Sequence, residues 1–233
     1  LDNNFYSITK AILYGRTIFK SIRKFIIFQL TVNFCAVALS IIGPFIGVAN
    51  PVTVIQMLWV NMVMDTLAGI AFSYEPPLLE YMEEPPKKRE EPILNSYMIH
   101  EILFIGCYSF FLCVFFLKSP LIHSFFRTGR QDQYFLTAFF GLFIFMSIFN
   151  SFNARTSRLN VFANLWKNKA FLLITFFIVV VQMILIYYGG TLFRTAGLSL
   201  KEVEVMLFLS FTVIPVDFIR KLYLKKKKKL GHV

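Results

Sequence analysis

Asn61 and Asp65, four residues apart, interrupt the apolar run Val52–Phe72 (VTVIQMLWVNMVMDTLAGIAF). A carboxylate in hydrocarbon costs between about 3 and well over 10 kcal/mol, so Asp65 must face protein, water or a cation rather than lipid. Positions four apart share one face of a helix, and the pair offers an amide and a carboxylate to the same neighbour. Such donors suit a hard cation, since calcium takes roughly 6–8 oxygens and no nitrogen or sulfur. The same two side chains could instead be hydrogen-bonded glue between helices, with no ligand. A third candidate is Asn33 in QLTVNFCAV, about halfway down the preceding apolar stretch. Its alternative role is also that of a helix-packing amide.

The elements that must position these residues are membrane helices. The chain is 57% hydrophobic and carries 29 phenylalanines, a composition of membrane proteins. Six apolar stretches approach the roughly 20 residues a spanning helix needs: Phe25–Val48, Val52–Phe72, Ile99–Leu117, Tyr134–Phe152, Ala170–Tyr188 and Val203–Phe218. The fold class expected is therefore all-α, a polytopic membrane protein of six transmembrane helices. Residues 1–24 place basic and apolar side chains at helical spacing and continue unbroken into the first span, which predicts a long cytoplasmic stalk. Residues 25–72 form a hairpin turned by Gly43, Pro44 and Pro51, which brings Asn33 opposite Asn61 and Asp65. Residues 73–98, with Pro76, Pro77, Pro85, Pro86 and Pro92, predict an ordered but irregular connector whose charge could dock a basic partner surface. Residues 99–222 supply a supporting four-helix bundle, and 223–233 a basic tail. Nothing resembles a signal peptide, and Leu1 is no start methionine, so a longer parent protein is expected.

Six spans leave both termini on one side. That side collects Lys10, Arg16, Lys20, Arg23 and Lys24, then Lys87, Lys88 and Arg89, then Arg155, Arg158, Lys167 and Lys169, then Arg220, Lys221 and Lys225 to Lys229. The other side has only Lys118, Arg127, Arg130, Arg194 and Lys201, which makes both termini cytoplasmic. The net charge of +11 is thus an orientation signal, and no nucleic acid is expected as a partner. Lys225–Lys229 could hold anionic headgroups or be a solvated stop-transfer tail. His100, His123 and His232 are scattered, and Cys35, Cys107 and Cys113 lack metal-ligand spacing. Asp217 precedes Arg220 and Lys221 at spacings that allow a salt bridge. Asn150, Asn153, Gln29, Gln56 and Gln182 are read as caps or packing groups.

The strings VIQMLWVNMVMDTLAGIAFSYEPP, GRTIFKSIRKFIIFQLTVN, IFNSFNAR and RLNVF resemble the carboxy-terminal membrane half of P-type calcium-transporting ATPases, those of the plasma-membrane type most. The likeness covers essentially the whole chain, family helices five to ten, and the ending VDFIRKLYLKKKKK resembles bacterial members and so a bacterial inner or plasma membrane. The resemblance implies that Asn33, Asn61 and Asp65 are side-chain ligands of a transported Ca2+. Relatives that move two ions have a glutamate where this chain has Ala36, a threonine where it has Met64, and a glutamate where it has Ser147. Those departures imply a single ion. The family's DKTGT, TGE and PEGLP strings are not in this chain. ATP and Mg2+ would act in the missing headpiece, and the partners implied are the amino-terminal half of the same pump, with its fourth helix and phosphorylation domain, and the lipid bilayer. Three such side chains offer only three or four oxygens, so the segment alone is expected to be inactive. Oxygen-only ligands admit Mn2+ as well. Two other readings are a gradient-driven cation transporter or channel, for which paired inverted repeats would be the sign, and a noncatalytic membrane scaffold.

Overall fold

A computed structural model describes residues 4–47, 51–86 and 90–229. Three positions counted toward orientation, Lys87, Lys88 and Arg89, lie outside these residues, as do the end of the tail and of the first predicted span. Every regular element among the described residues is helical. The first, α1 (Phe5–Ile42), is capped by Asn4, whose side chain accepts from the Tyr6 amide at 3.0 Å. Its 38 residues rise about 57 Å, nearly twice a hydrocarbon core of about 30 Å. A 3-10 turn over Gly43–Ile46, with Pro44 near its start, ends the helix at Gly47, whose φ of 70° favours glycine.

The second apolar stretch is not one regular helix. A capping box between Thr53 and Gln56 starts α2 (Val54–Leu58). A π-helical turn follows over Trp59–Met64, and α3 (Asp65–Ser73) resumes the α form. The connector holds one 3-10 turn, Leu79–Met82. Beyond it come α4 (Ser96–Lys118), the short α5 (Pro120–His123), α6 (Gln133–Arg155), α7 (Lys169–Tyr188) and the short α8 (Gly190–Phe193). The chain ends in α9 (Leu200–Phe211) and α10 (Val213–Lys229).

Five helical stretches among the described residues are long and apolar enough to cross a membrane, against six expected. The sixth stretch is divided between α9 and α10. Pro215 has no N–H for the Phe211 carbonyl and its ring crowds it, so the helix breaks at Thr212. The Tyr108 hydroxyl of α4 donates to Thr212 Oγ1 at 2.6 Å and ties the break into the bundle.

The centre of the bundle is α6. Its most apolar window is 83% buried, against 22 to 50% for the other four. Around it lie α1, α4, α7, α9 and α10, and α1 makes its closest partner of α4. Gly106 permits that approach, because a Cβ there would stand 2.5 Å from the Phe34 ring.

The acidic connector docks onto a basic surface, and that surface is the chain's own α1. Arg16 donates to the Tyr81 and Glu84 carbonyls at 2.5 and 2.6 Å. Lys20 pairs with Glu84 at 2.5 Å, and Arg23 with Glu91 at 3.0 Å. Arg158, beyond α6, pairs with Glu80. Burial, followed by Glu75, Glu80 and Glu84, pushes the Tyr81 phenol up to about 12, so it stays neutral beneath Lys20.

Candidate metal centre

Asp65 is the first residue after the π-turn and is 5% exposed. Its Oδ2 accepts from Gln29 Nε2 at 3.5 Å, while Oδ1 is buried without a partner. None of the ion pairs among the described residues includes Asp65. A buried acceptor left unpaired carries a desolvation cost of about 1–3 kcal/mol, and more when charged. The carboxylate is therefore oriented by one long contact and left with free valence.

Asn33 sits half-buried on α1, one helical turn beyond Gln29, so both amides occupy one face of that helix. Asn61 is exposed within the π-turn. Val54, Leu58, Met62 and Ile70, at multiples of four, are exposed along the same element. Thus Asp65 turns inward while Asn61 remains on the open side. The π-turn explains part of this. The Asp65 amide bonds to the Val60 carbonyl, five residues back, instead of that of Asn61. Sequence spacing anticipated two side chains on a regular helix. It did not anticipate the π-turn, because WVNMVMD contains neither proline nor glycine to mark the distortion.

Gln29, read as a packing group, is the residue the structure brings to Asp65. Its spacing of four from Asn33 was the available signal. Of the other two glutamines, Gln56 closes its capping box and donates to the Phe193 carbonyl at 2.7 Å, whereas Gln182 is fully buried with neither amide atom hydrogen-bonded among the described residues.

Deeper between α1, α4 and α6 lies a cavity of about 10 Å³, lined in part by Thr31, Cys35, Ser109, Ser147 and Asn150. That is room for about one water and too little for a hydrated or multiply coordinated ion. Ser147 donates to the Phe143 carbonyl of its own helix at 2.8 Å, and Ala36 is 6% exposed. Among the described residues no three His, Cys, Asp or Glu side chains cluster as a metal site.

A larger cavity, about 380 Å³, lies where α1, the connector, the start of α4 and the end of α6 meet. Two buried ionic networks brace this end of the bundle. In one, Arg155, 1% exposed, pairs with Glu75 at 3.3 Å and donates to the Val161 and Ala163 carbonyls at 3.1 and 2.6 Å. Lys24 reaches the other Glu75 oxygen at 3.4 Å. In the second, Asp217 binds Arg220 and Lys221, both at 2.7 Å, as its spacing predicts. Glu101 of α4 then adds a pair with Arg220 at 2.9 Å, and Lys221 donates to the Asn153 and Thr156 carbonyls. Asn153 in turn donates to the Val213 carbonyl at 3.0 Å. These charges have partners and hold helices together, whereas no ion pair among the described residues includes Asp65.

Comparison with known proteins matches the family described as "Cation transporting ATPase, C-terminus" over residues 49–223. The chain belongs to this family. Among similar proteins are the plasma membrane calcium-transporting ATPase mca-1 of Caenorhabditis elegans, 35% identical over 91% of this chain and 18% of that protein, and plasma membrane calcium-transporting ATPase 1 of Mus musculus, 35% identical over 99% of this chain and 20% of that protein. Calcium-transporting ATPase 5, plasma membrane-type, of Oryza sativa is 31% identical over 99% and 22%. The chain thus spans about a fifth of these cation-transporting ATPases, as a carboxy-terminal segment of the plasma-membrane type. All three relatives are eukaryotic and lend no support to the bacterial source expected from the ending.

Proposed function

We propose that this segment is the membrane half of an ATP-driven calcium pump and supplies side-chain ligands for one transported Ca2+: Asn33, Asn61 and Asp65. The observation that carries the reading is Asp65, a buried carboxylate with one oxygen unpartnered and no ion pair among the described residues, placed directly after a π-turn. Gln29 contacts its other oxygen at 3.5 Å, and the amide and carboxylate oxygens of the set are of the kind calcium takes. The set remains short of roughly 6–8 oxygens, and the exposed side of the π-turn supports a partner helix from the amino-terminal half of the same pump.

Energetics support the same division of labour. Moving Ca2+ against a gradient of about 10⁴ takes roughly 5.5 kcal/mol, and two charges against about 100 mV add roughly 4.6 kcal/mol. ATP and Mg2+ supply that in a headpiece whose residues are not in this chain, so the segment alone pumps nothing. Both termini face the cytoplasm, and α1 and the connector docked on it are the levers through which phosphorylation changes access to the site. The small cavity beside Ser147 supports one ion per cycle.

The test is the ATPase activity of the full-length protein, titrated separately with Ca2+ and Mn2+. Stimulation by Ca2+ at micromolar order is expected, with a single-site dependence on concentration. A sigmoidal two-ion dependence, or no stimulation by Ca2+, would overturn the proposal.

A further inference from the structure

We infer that the small polar cavity between α1, α4 and α6 is a binding site for one water molecule, which bridges the three helices through Thr31, Ser109, Ser147 and Asn150. The site is separate from Asn33, Asn61 and Asp65, none of which lines it. Met146, Ser147 and Asn150 reach it from one face of α6, and Thr31 and Cys35, four apart, from one face of α1. Ser109 lines it from α4. The four polar residues are buried, and α6, which brings two of them, is the most enclosed helix of the bundle.

The hydrogen-bonding capacity left over around the cavity selects its occupant. Asn150 is 4% exposed, and its Nδ2 is buried without a partner, so this donor needs an acceptor. Asn153, three residues on, finds one in the protein, the Val213 carbonyl at 3.0 Å. Thr31 Oγ1 donates to the Ile27 carbonyl at 2.7 Å, and Ser147 Oγ to the Phe143 carbonyl at 2.8 Å. With their protons committed to their own helices, both oxygens can only accept from the cavity. The Ser109 hydroxyl can donate or accept. The occupant must therefore accept from the amide, donate to two hydroxyl oxygens and fit about 10 Å³. Water meets all three conditions, and the about three hydrogen bonds a buried water makes are within what four groups supply. A metal ion cannot accept the amide N–H, and an anion cannot donate to the two hydroxyl oxygens.

Hydroxyl-radical footprinting of the full-length protein in nanodiscs tests this. X-rays split bound water into radicals that oxidise the nearest sulfur, and Met146 and Cys35 line the cavity although they are only 2% and 1% exposed. Met206, fully buried and outside that lining, is the dry reference. Met146 should be oxidised severalfold faster than Met206. Two variants should bring Met146 down to the Met206 rate and slow Cys35 as well. Asn150→Leu removes the orphaned donor and fills the space. Combined Thr31→Val, Ser109→Ala and Ser147→Ala removes the three hydroxyls without adding bulk, and it carries the test if the leucine prevents folding. A parent rate at Met146 no higher than at Met206 would overturn the inference. So would fast oxidation of Met146 that persists in a folded variant.

Discussion

Replacing Asp65 by asparagine should shift ion affinity and calcium-free stability in opposite directions, and that opposition separates a ligand from a packing residue. Among Gln29, Asn33, Asn61 and Asp65, only Asp65 carries formal charge. Removing it from beneath a divalent ion resembles removing one partner of a buried ion pair, about 3–5 kcal/mol. At about 1.4 kcal/mol per tenfold, the Ca2+ concentration for half-maximal phosphorylation by ATP should rise by roughly 10² to 10³·⁵. In the absence of Ca2+ the same change removes a buried negative charge that no ion pair among the described residues neutralises, and after the new amide donor is counted the net relief is about 1–3 kcal/mol. The melting temperature of the membrane part in excess chelator, at pH 7.5, should therefore rise by about 2–4 °C per kcal/mol. Phosphorylation in the reverse direction from inorganic phosphate should persist, which checks that the headpiece is intact. A shift in calcium dependence below tenfold, or a calcium-free protein less stable than the parent, would refute the reasoning.

The buried networks give two further expectations. Arg155→Ala leaves Glu75 buried with only Lys24 at 3.4 Å and orphans the Val161 and Ala163 carbonyls, so it should destabilise the membrane part by about 3–5 kcal/mol. Thermal unfolding in detergent measures this, and an unchanged melting temperature would mean that the pair contributes nothing. On the opposite end, Glu202 lies just before the apolar stretch Val203–Phe218; burial pushes its carboxyl up, but hydrogen bonds from Arg127 and Ser199 outweigh that and hold it at about 2. A carboxyl depressed below its unfolded value of about 4.3 adds stability that is complete above that value and is lost as pH falls toward 2. Melting temperatures taken between pH 6 and pH 2 should fall more steeply for the parent than for Glu202→Gln.

The apolar membrane helices, the long first helix and the Asp217 pairings were legible because each rests on a local pattern: hydropathy over about 20 residues, helical spacing of basic side chains, and offsets of three and four. Asp65 stood out for the same reason, since a carboxylate in an apolar run is conspicuous at any fold. What went unread depended on partners distant in sequence. Gln29 looked like any polar residue in a span until α1 packed against α3 and set it beside Asp65. Glu75 and Glu101 looked like two of many connector and helix-end acids until Arg155 and Arg220 closed on them.

The sequence by itself determined that this chain is an all-helical membrane protein with one costly acid in its second span, because hydrocarbon imposes its price residue by residue. Tertiary structure decided which oxygens are free to serve. Whether a helix adopts a π-turn, and which way an amide or carboxylate faces, is set by the packing of α1, α7 and α8 around the second span, where a change of one hydrogen-bond register costs little locally. Position in the bundle likewise separated Arg220 and Lys221 from Lys225–Lys227: side chains of one charge, in one helix, some spent on buried carboxylates and some left at the surface.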